Sequence, residues 1–447
     1  MALKITVIGT GYLGATHAAA MAELGFEVLG LDVVPEKIEL LAAGKVPMYE
    51  PGLEELLRKH VAGIEGSSGR LRFTTSWEEV GEFGDVHFVC VNTPQKQGEY
   101  ACDMSYVDAA FESLAPQLRR AALVVGKSTV PVGSAARLAA RLAELAPVGA
   151  AAELAWNPEF LREGFAVQDT LHPDRIVVGV ESERAEKLLR EVYGTPVGRG
   201  APFVVTDFPT AELVKTSANS FLATKISFIN AMAELCEAAD GDVVKLAEAI
   251  GYDERIGSKF LRAGIGFGGG CLPKDIRAFM ARAGELGADQ ALTFLREVDS
   301  INMRRRGHMV ELARDAVGGG GFLGKRVAVL GATFKPDSDD VRDSPALNVA
   351  GQIHLQGGQV MVYDPKGMDN ARRLFPTLGY ADTALEAARG ADVVLHLTEW
   401  REFRELDPAE LGEVVAERLI LDGRNALDPV RWREAGWTYR AMGRPRG

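Results

Sequence analysis

The chain has 447 residues, of which 47% are hydrophobic and 25% charged, and its formal net charge is −12. This length exceeds what one hydrophobic core supports and predicts two or three domains, and no apolar run reaches the roughly 18–20 residues of a transmembrane helix. The acidic balance argues against nucleic acid or an anionic membrane surface as the main partner, so locally placed cations and backbone amides must hold any anionic substrate.

The N-terminal segment is typical of a first β-strand rather than a signal peptide. Residues 1–9 contain one lysine, a short apolar stretch and an immediate glycine. We therefore expect the protein to remain in the cytoplasm. The four cysteines, Cys90, Cys102, Cys236 and Cys271, are widely separated, and none belongs to a C-x-x-C pair. This spacing favours neither a disulfide framework nor a metal site.

Short apolar runs alternate with helical patterns over the first part of the chain, which is typical of a parallel α/β sheet. Strands are predicted at Lys4–Ile8, Glu27–Leu31 and residues 85–91, 122–127, 154–156 and 175–180. Helical patterns follow Gly11, Pro35, Pro51, Ser105 and Gly133.

A glycine motif, Gly9-Thr-Gly-Tyr-Leu-Gly14, lies between the first predicted strand and the first predicted helix. There Gly9 permits a tight turn, Gly11 lets the backbone approach a pyrophosphate, and Gly14 lets helix and strand pack closely. Asp32 ends the second predicted strand, where a carboxylate bonds ribose hydroxyls and repels the 2′-phosphate of NADP. The motif predicts an NAD⁺ site, and the alternative is a structural glycine turn with a surface Asp.

A change of pattern follows at residues 210–240, where helical spacing continues without Gly or Pro for some eight turns. Such a long helix often links domains or packs against a second copy. Further helical patterns extend to about residue 317, and the glycines of residues 318–321 predict a flexible junction. A second α/β unit is predicted after them, with strands at Arg326–Leu330, Gln359–Tyr363, residues 392–397 and Leu419–Asp422.

These patterns predict an α/β protein with two Rossmann-like parallel-sheet domains, joined by a long central helix and a helical region. The predicted domains are an NAD-binding domain at residues 1–205, the helical connector at residues 206–317, and a second Rossmann-like domain at residues 318–447.

The segment Gly264-Ile-Gly-Phe-Gly-Gly-Gly-Cys-Leu-Pro-Lys-Asp275 is the most informative of the chain. Its five glycines let the backbone wrap closely around a ligand. Cys271 ends this loop just before a helix that Pro273 could start, where a helix N-terminus lowers the pKa of a thiol. Asp275 lies four residues on, near enough to act with the thiol. The loop alone leaves a nucleophile and a buried structural cysteine equally open.

Two further pairs carry charges at helical spacing. Lys215 and Asn219 share one face of the long predicted helix, where a Lys needs an anion or a developing negative charge. A solvated Lys beside an Asn is the alternative. Glu159 and Glu163 lie four residues apart beyond a predicted strand, and they fit either acid–base work or a solvated first helical turn.

Together these segments resemble the UDP-glucose/GDP-mannose dehydrogenase family of nucleotide-sugar dehydrogenases. The resemblance covers nearly the whole chain in order, through VIGTGYLG (residues 7–14), EPGL (50–53), VNTP (91–94), STVPVG (128–133), NPEFLREG (157–164), ELVKTSAN (212–219), GFGGGCLPKD (266–275), FK (334–335) and DGR (422–424). The set is specific as a whole, although several single members are not. A mild departure is Gly270, where many relatives carry Ser.

The resemblance implies a four-electron oxidation that uses two NAD⁺ in succession. A sugar alcohol becomes an aldehyde, Cys271 adds to it as a thiohemiacetal, and a second hydride transfer gives a thioester that water hydrolyses to the uronate. Lys215 would stabilise the alkoxide or oxyanion with Asn219 beside it, and Asp275 would organise a water or act as a base. Glu159 and Thr129 would hold the hydrolytic water.

The resemblance also implies positions for both ligands. Cofactor positions are Gly9, Gly11, Tyr12, Leu13, Gly14, Asp32, Val33, Lys37, Thr93, Thr129, Val130, Glu163 and Arg342, the last at the pyrophosphate. Substrate positions are Phe160, Leu161, Lys215, Asn219, Arg255, Lys259, Phe267, Gly268, Lys335 and Arg424. The family typically forms a dimer through its long helix, so the resemblance implies that the helical region is also a dimerisation region and that Arg255 can come from a neighbouring subunit. The second α/β unit would bind the UDP half.

The substrate branch and the activity itself both have alternatives. The segments at residues 47–51 and 128–133 look more like the UDP-glucose branch than the GDP-mannose or UDP-N-acetylmannosamine branches. A silent nucleotide-sugar sensor with the same fold is a second hypothesis. The presence of Cys271, Lys215, Asn219, Asp275 and Glu159 counts against it, because a silent relative has no reason to keep the nucleophile.

Overall fold

The computed structural model describes residues 3–445, and its fourteen strands in that range form two separate sheets. The chain divides into two compact units. The first unit is Met1–Ala218 with Arg277–Leu286, and the second is Asn219–Ile276 with Gly287–Gly447. Each unit therefore contains one sheet with its own hydrophobic core.

The first unit contains an eight-stranded sheet in the order β3-β2-β1-β4-β5-β6-β7-β8. Its strands are β1 (Lys4–Ile8), β2 (Glu27–Leu31), β3 (Leu71–Thr74), β4 (Val86–Val89), β5 (Ala122–Gly126), β6 (Ala152–Trp156), β7 (Ile176–Val180) and β8 (Phe203–Thr206). All neighbours are parallel except β6 and β7, which are antiparallel. Every residue of the central strands β4 and β5 is buried, as expected for strands covered by helices on both faces.

The second unit contains a six-stranded, fully parallel sheet in the order β11-β10-β9-β12-β13-β14. Its strands are β9 (Arg326–Leu330), β10 (Gln359–Tyr363), β11 (Gly379–Tyr380), β12 (Val393–His396), β13 (Leu419–Asp422) and β14 (Thr438–Ala441). Numbered within the unit, this is the 3-2-1-4-5-6 order of dinucleotide-binding folds, and the first six strands of the first unit follow it too.

Helices connect the strands of both sheets. The first unit contains α1 (Tyr12–Glu23), α2 (Pro35–Ala42), α3 (Leu53–His60), α4 (Trp77–Phe83), α5 (Ser105–Leu114), α6 (Ser134–Leu145), α7 (Ala166–Leu171), α8 (Glu183–Val192) and α9 (Gly194–Gly198). Between the sheets in sequence come α10 (Phe208–Ala239), α11 (Val243–Gly251), α12 (Leu272–Glu285) and α13 (Phe294–Ala316). The second unit adds α14 (Pro345–Leu355), α15 (Met368–Leu374), α16 (Ala384–Ala388), α17 (Arg401–Glu405), α18 (Pro408–Gly412) and α19 (Pro429–Glu434).

The central helix α10 has 32 residues and clear signals at both ends. Asp207 Oδ1 accepts a hydrogen bond from the backbone N–H of Thr210 over 2.7 Å, which caps the first turn. Asp240 takes a left-handed conformation with φ 55°, and Gly241 N donates to Cys236 O over 2.8 Å. This pattern of a left-handed residue and a six-residue hydrogen bond terminates the helix.

The predicted fold class is confirmed, including the two parallel sheets and the long helix. All ten predicted strands are present, and their ends agree with the prediction to within two residues. Four strands were missed, namely β3, β8, β11 and β14. Each is an edge strand of its sheet and has two to four residues. The three-domain boundaries at residues 205 and 317 stay a prediction. Among the helices of residues 3–445, none combines the length and apolar character that a membrane span requires.

Candidate functional site

The glycine turn of the first unit leaves room for a ligand at one position only. Gly9 has φ +85°, which favours glycine, and a Cβ on Gly14 would lie 1.9 Å from Gly9 O. A Cβ on Gly11 would meet nothing closer than a side-chain atom of Asn92 at 4.0 Å. The first turn of α1, which follows, contains no acidic residue. This geometry fits a pyrophosphate placed against Gly11 and the N-terminus of α1.

Asp32 is held at the carboxyl end of β2 by several donors. Its Oδ2 accepts hydrogen bonds from Thr10 N at 3.0 Å and from Thr10 Oγ1 at 3.2 Å, and Oδ1 accepts one from Val34 N at 3.2 Å. Lys37 Nζ lies 2.7 Å from Oδ2. The carboxylate is therefore held in one orientation at the carboxyl end of β2. Val33, the next residue, is 70% exposed.

The second unit repeats this turn in a closed form. Gly331 has φ +113°, and its N–H donates to Tyr363 O over 2.8 Å, as Gly9 N donates to Leu31 O. Asp364 corresponds to Asp32 and accepts from the backbone N–H of Thr333 at 3.0 Å. Its Oδ2 also accepts from the indole Nε1 of Trp400 at 3.0 Å, so this carboxylate is 1% exposed. Asp32 is also buried, at 6% exposed, so the turn of the first unit is the more open one because Gly11 stands where the second unit has Thr333.

A buried ion pair lies beyond strand β6. Lys215 Nζ is 2.9 Å from Glu159 Oε1, and the two side chains are only 6% and 14% exposed. The other carboxylate oxygen of Glu159 accepts a hydrogen bond from Leu161 N over 2.6 Å. Lys215 also lies 5.7 Å from the centre of the Phe160 ring. The sequence assigned Lys215 and Glu159 separate roles, and the fold joins them directly.

Two buried glutamates hold the ends of the two loops that carry Thr129 and Glu159. Glu212 on α10 accepts hydrogen bonds from Gly133 N and Ala135 N, each over 2.7 Å. Glu50 accepts from Gly164 N and Ala166 N, also over 2.7 Å, and from the hydroxyl of Tyr12. Burial and the neighbouring Glu50 raise the pKa of Tyr12. Neither glutamate received a role from the sequence, because a carboxylate that binds backbone amides leaves no local pattern.

The other positions of the first unit that the resemblance assigns to the cofactor differ in burial. Thr93 and Val130 are 7% and 2% exposed, while Thr129, Leu13 and Glu163 are half-buried. The side chains of Thr93 and Val130 therefore belong to the interior beside the carboxyl ends of the strands.

In the second unit, buried polar side chains form hydrogen bonds with the backbone of the glycine loop before Cys271. Asn302 Oδ1 accepts from Phe267 N over 2.7 Å, and Asn302 Nδ2 donates to Phe267 O over 3.0 Å. A Cβ on Gly266, which has φ +90°, would lie 2.3 Å from Asn302 Oδ1. Arg424 donates to Gly266 O at 2.8 Å and to Phe334 O at 3.1 Å, and its burial lowers its pKa. The backbone around Phe267 and Gly268 is thus fixed on both sides.

Cys271 is the exposed thiol among the four cysteines and lies directly before the first residue of α12. Asp275 N donates to Cys271 O over 2.9 Å within the first turn. The Asp275 carboxylate is 2% exposed, accepts from Asn219 Nδ2 at 2.6 Å, and pairs with Lys274 Nζ at 2.7 Å. A thiol at a helix N-terminus is in a position that favours the thiolate, the nucleophilic form.

The remaining predicted positions lie elsewhere in the second unit. Arg342 pairs with Asp340 at 2.7 Å, and its guanidinium would contact a Cβ on Gly270 at 2.3 Å. Lys335 is half-buried, with Nζ 5.6 Å from the centre of the Phe334 ring. Arg255 and Lys259 are exposed, and Arg255 pairs with Asp253.

Three segments of the chain match known domain families. Residues 3–197 match the NAD binding domain of the UDP-glucose/GDP-mannose dehydrogenase family, residues 209–304 its central domain, and residues 328–429 its UDP binding domain. The chain is 41% identical to UDP-glucose 6-dehydrogenase of Rhizobium meliloti (strain 1021), over 99% of this chain and 100% of the relative. It is 38% identical to UDP-glucose 6-dehydrogenase YwqF of Bacillus subtilis (strain 168), over 99% of this chain and 98% of the relative.

Solved structures share the architecture. A UDP-glucose dehydrogenase from Pyrobaculum islandicum is 38% identical with a TM-score of 0.89, covering 99% of this chain and 98% of the other. A UDP-D-ManNAc dehydrogenase from Pyrococcus horikoshii is 27% identical with a TM-score of 0.85, covering 100% of both chains. The open glycine turn with Asp32 and the ordered sequence matches therefore agree: the chain belongs to the UDP-glucose/GDP-mannose dehydrogenase family and carries its NAD-binding domain.

Proposed function

We propose that this protein oxidises UDP-glucose to UDP-glucuronate in an NAD⁺-dependent, four-electron reaction. The proposal rests above all on Cys271, an exposed thiol at the first turn of α12 with Asp275 bonded to Asn219 one turn later. Full-length similarity to relatives named UDP-glucose 6-dehydrogenase supports the choice of sugar. NAD⁺ would supply the hydride acceptor for both oxidation steps, and Gly11, the N-terminus of α1 and Asp32 would hold it.

Lys215 acts in the first oxidation. Its ammonium stabilises the alkoxide that forms as the C6 hydroxyl of glucose passes its proton to a water organised by Asp275, and transfer of the C6 hydride to NAD⁺ would then leave the aldehyde. Asn219, four residues on, presents an amide to the same oxygen while it remains bonded to Asp275. Lys215 Nζ lies 2.9 Å from Glu159 Oε1, and this ion pair holds the amino group in place although its side chain is only 6% exposed.

Cys271 acts in the second half of the reaction. Its thiolate adds to the aldehyde carbon, and the resulting thiohemiacetal loses a hydride to become a thioester. Water attacks the thioester carbonyl, the carbon–sulfur bond breaks, and the uronate leaves while the thiol is regenerated. Asp275 organises a water or accepts its proton, and Glu159 with Thr129 holds the water for hydrolysis.

The ligand positions divide between the two halves of the sequence. NAD⁺ would lie on Gly11 and the N-terminus of α1 with its ribose at Asp32, bordered by the other cofactor positions named above. The UDP half would bind the domain at residues 328–429, where Lys335 supplies a cation. Arg424 would act through the backbone of Gly266 and Phe334 that it holds. Arg342 would reach the pyrophosphate of the cofactor.

The central helix supports a homodimer. Phe221, Phe228 and Leu235 on α10 are 68%, 49% and 61% exposed, and they recur every seven residues. A heptad of large apolar side chains along one helix is the pattern that packs against a second helix of the same kind. Phe228→Asp should shift the protein from dimer to monomer in sedimentation velocity, and an unchanged dimer would contradict this interface.

We also infer a cytoplasmic location, because a catalytic thiol such as Cys271 stays reduced in that compartment. The membrane and nucleic acids have no part in the proposed reaction.

A substrate panel tests the function. Steady-state NADH production is measured with UDP-glucose, GDP-mannose and UDP-N-acetylmannosamine, and we expect turnover with UDP-glucose above the others. Turnover with one of the other sugars alone would move the protein to that branch of the family. Cys271→Ser should still bind UDP-glucose in calorimetry but make no uronate, and unchanged uronate production would refute the thiol mechanism. Cys236→Ser, at a buried thiol, is the matched control.

A further inference from the structure

Lys127 is a buried cation at the end of strand β5. Its side chain is 7% exposed, and Nζ donates to Asn157 Oδ1 at 2.9 Å and contacts the Tyr193 hydroxyl at 3.4 Å. Both partners are neutral, and the ring of Phe88 lies 5.8 Å away. Burial lowers the pKa of Lys127 to about 8. A buried ammonium with neutral partners costs stability, and such costs are retained mainly where function requires them.

The location of Lys127 relates it to two proposed catalytic residues. Lys127 directly follows β5 and precedes Thr129 by two residues. Asn157 directly follows the neighbouring parallel strand β6 and precedes Glu159 by two residues. The last paired residues of these strands are Gly126 and Trp156, so the Lys127–Asn157 bond lies one step beyond the sheet. It joins the starts of the two loops at the carboxyl edge.

The far ends of the same loops are already fixed by Glu212 at Gly133 and by Glu50 at Gly164. Tyr193 supports the near end, because its hydroxyl donates to Asn157 Oδ1 over 2.5 Å. Asn157 Nδ2 in turn donates to Val177 O over 2.8 Å. The Lys127 side chain therefore connects the loop that follows β5 and carries Thr129 to the loop that follows β6 and carries Glu159, at the point where both loops leave the sheet.

We propose that Lys127 is a positioning residue that sets Thr129 and Glu159 relative to each other for the hydrolysis of the thioester. The inference deepens the proposed function and rests on it. Lys127 touches neither reacting atom, and its effect passes through the backbone of the two loops. Loss of this connection should slow water attack more than hydride transfer. The water depends on both Thr129 and Glu159, whereas Lys215, which acts in hydride transfer and pairs with Glu159, is held on α10 and not on either loop.

The charged and titratable groups around Lys127 come from several elements. They are His17 of α1, Cys90 after β4, Glu159 after β6, Tyr193 after α8, and Lys215 of α10. Burial places the pKa of His17 well below its ordinary value and raises that of Cys90 to about 12, so both are neutral near pH 7. A cavity of about 60 Å³ borders Lys127, Asn157 and Glu159, so an uncharged side chain of similar length fits without overpacking.

The test compares Lys127→Met, Lys127→Gln and a control, Lys187→Met on the exposed face of α8, in the full-length protein. In rapid mixing with UDP-glucose and NAD⁺, we expect Lys127→Met to give a burst of two NADH per site and then turnover about tenfold slower than the wild type. Intact mass spectrometry should detect the accumulated thioester. Lys127→Gln keeps a donor to Asn157 and should recover part of the rate.

A second measurement does not depend on catalysis. Hydrogen–deuterium exchange should be faster in the peptides that cover residues 127–133 and 157–165 of Lys127→Met, with a melting temperature no lower than that of the wild type. Turnover and exchange both equal to the wild type would overturn the proposal. A lost burst together with a lower melting temperature would also overturn it, since Lys127 would then only support the fold. If the wild type makes no NADH from UDP-glucose, the proposed function fails, and exchange alone decides whether Lys127 positions the loops.

Discussion

Asn219 donates a hydrogen bond to Asp275 over 2.6 Å, and the two side chains are 7% and 2% exposed. The bond fixes the carboxylate that lies one helical turn after Cys271. Lys274 pairs with the other carboxylate oxygen at 2.7 Å, so both oxygens have fixed partners. A carboxylate held this rigidly near a nucleophile is suited to orient a water or take its proton.

Replacing Asp275 by Asn removes this charge while the shape is kept. We expect kcat to fall by about 10²-fold or more, with a KM for UDP-glucose within about threefold, because the carboxylate acts on the reaction rather than on nucleotide binding. Steady-state kinetics measures both constants. Asp315→Asn, at an exposed position on α13, is the control. A variant that keeps full kcat would rule out a chemical role for Asp275.

Substitution by Ala should weaken NAD⁺ binding at Gly11 and lower the stability of the fold at Gly14. Gly11→Ala meets no atom closer than 4.0 Å, so the protein should fold normally, but the new methyl occupies the space proposed for the pyrophosphate. We expect its Kd for NAD⁺ to rise by about tenfold or more. Gly14→Ala places a methyl 1.9 Å from Gly9 O, and the backbone cannot yield cheaply. Its free energy of unfolding should fall by about 1–3 kcal/mol or more.

Thermal unfolding and NAD⁺ titration by fluorescence separate these two outcomes. If Gly11→Ala binds NAD⁺ as the wild type does, the pyrophosphate does not lie at this turn. If Gly14→Ala is as stable as the wild type, the close contact of α1 with Gly9 is not essential to the fold.

Local patterns were enough to predict the parts of the site that are close in sequence. Three features were recognised from residues that lie near each other in sequence. They are the glycine turn, Asp32 after the next strand, and Asp275 one turn after Cys271. Contacts between distant segments could not be predicted in this way. Asn219 and Asp275 are 56 residues apart, and their bond depends on how α10 packs beside α12 within the second unit.

The missed residues share a physical reason. Glu50 binds the backbone N–H of Gly164, 114 residues away, and any residue type could supply that N–H. Asn302 likewise grips the backbone of Phe267. Sequence carries little information about a side chain whose partner is a main-chain group. Edge strands such as β3 and β14 were missed because their half-exposed residues lack the continuous apolar run of the central strands.

Asp32 and Lys37 should together decide the choice of cofactor. The wild type is expected to use NAD⁺ well above NADP⁺, because the Asp32 carboxylate repels a 2′-phosphate. In Asp32→Ser the repulsion is lost, and Lys37 Nζ, now 2.7 Å from Asp32 Oδ2, becomes available to the phosphate. The ratio of kcat/KM for NADP⁺ to that for NAD⁺ should rise by about tenfold or more.

The control for this change is Glu36→Gln, which removes a charge from the exposed residue beside Lys37. An equal rise in the control would mean that general charge, rather than the Asp32 carboxylate, governs selectivity. An unchanged ratio in Asp32→Ser would remove Asp32 from the ribose site.

Lys127 should make the stability of the protein depend on alkaline pH. Burial lowers its folded-state pKa from 10.5 to about 8, so between these values the unfolded chain binds more protons than the folded one. Stability therefore rises with pH through this window, and the full cost of the buried charge is present below pH 8. The shift corresponds to a destabilisation of the folded state by about 3 kcal/mol, which a Met variant would relieve. The same variant loses the hydrogen bond to Asn157, which costs about 1 kcal/mol.

We accordingly expect Lys127→Met to exceed the wild type in free energy of unfolding by about 2 kcal/mol at pH 7, and this gain to shrink as the pH approaches 10.5. Urea unfolding at pH 7 and pH 9.5 gives the free energy of unfolding of both proteins. Subtracting the wild-type value from the variant value at each pH removes the contribution of the other titrating groups. Lys187→Met should follow the wild type at both values. A Lys127→Met variant that is less stable at pH 7 would mean that the ammonium strengthens the fold, and the buried charge would then need no functional explanation.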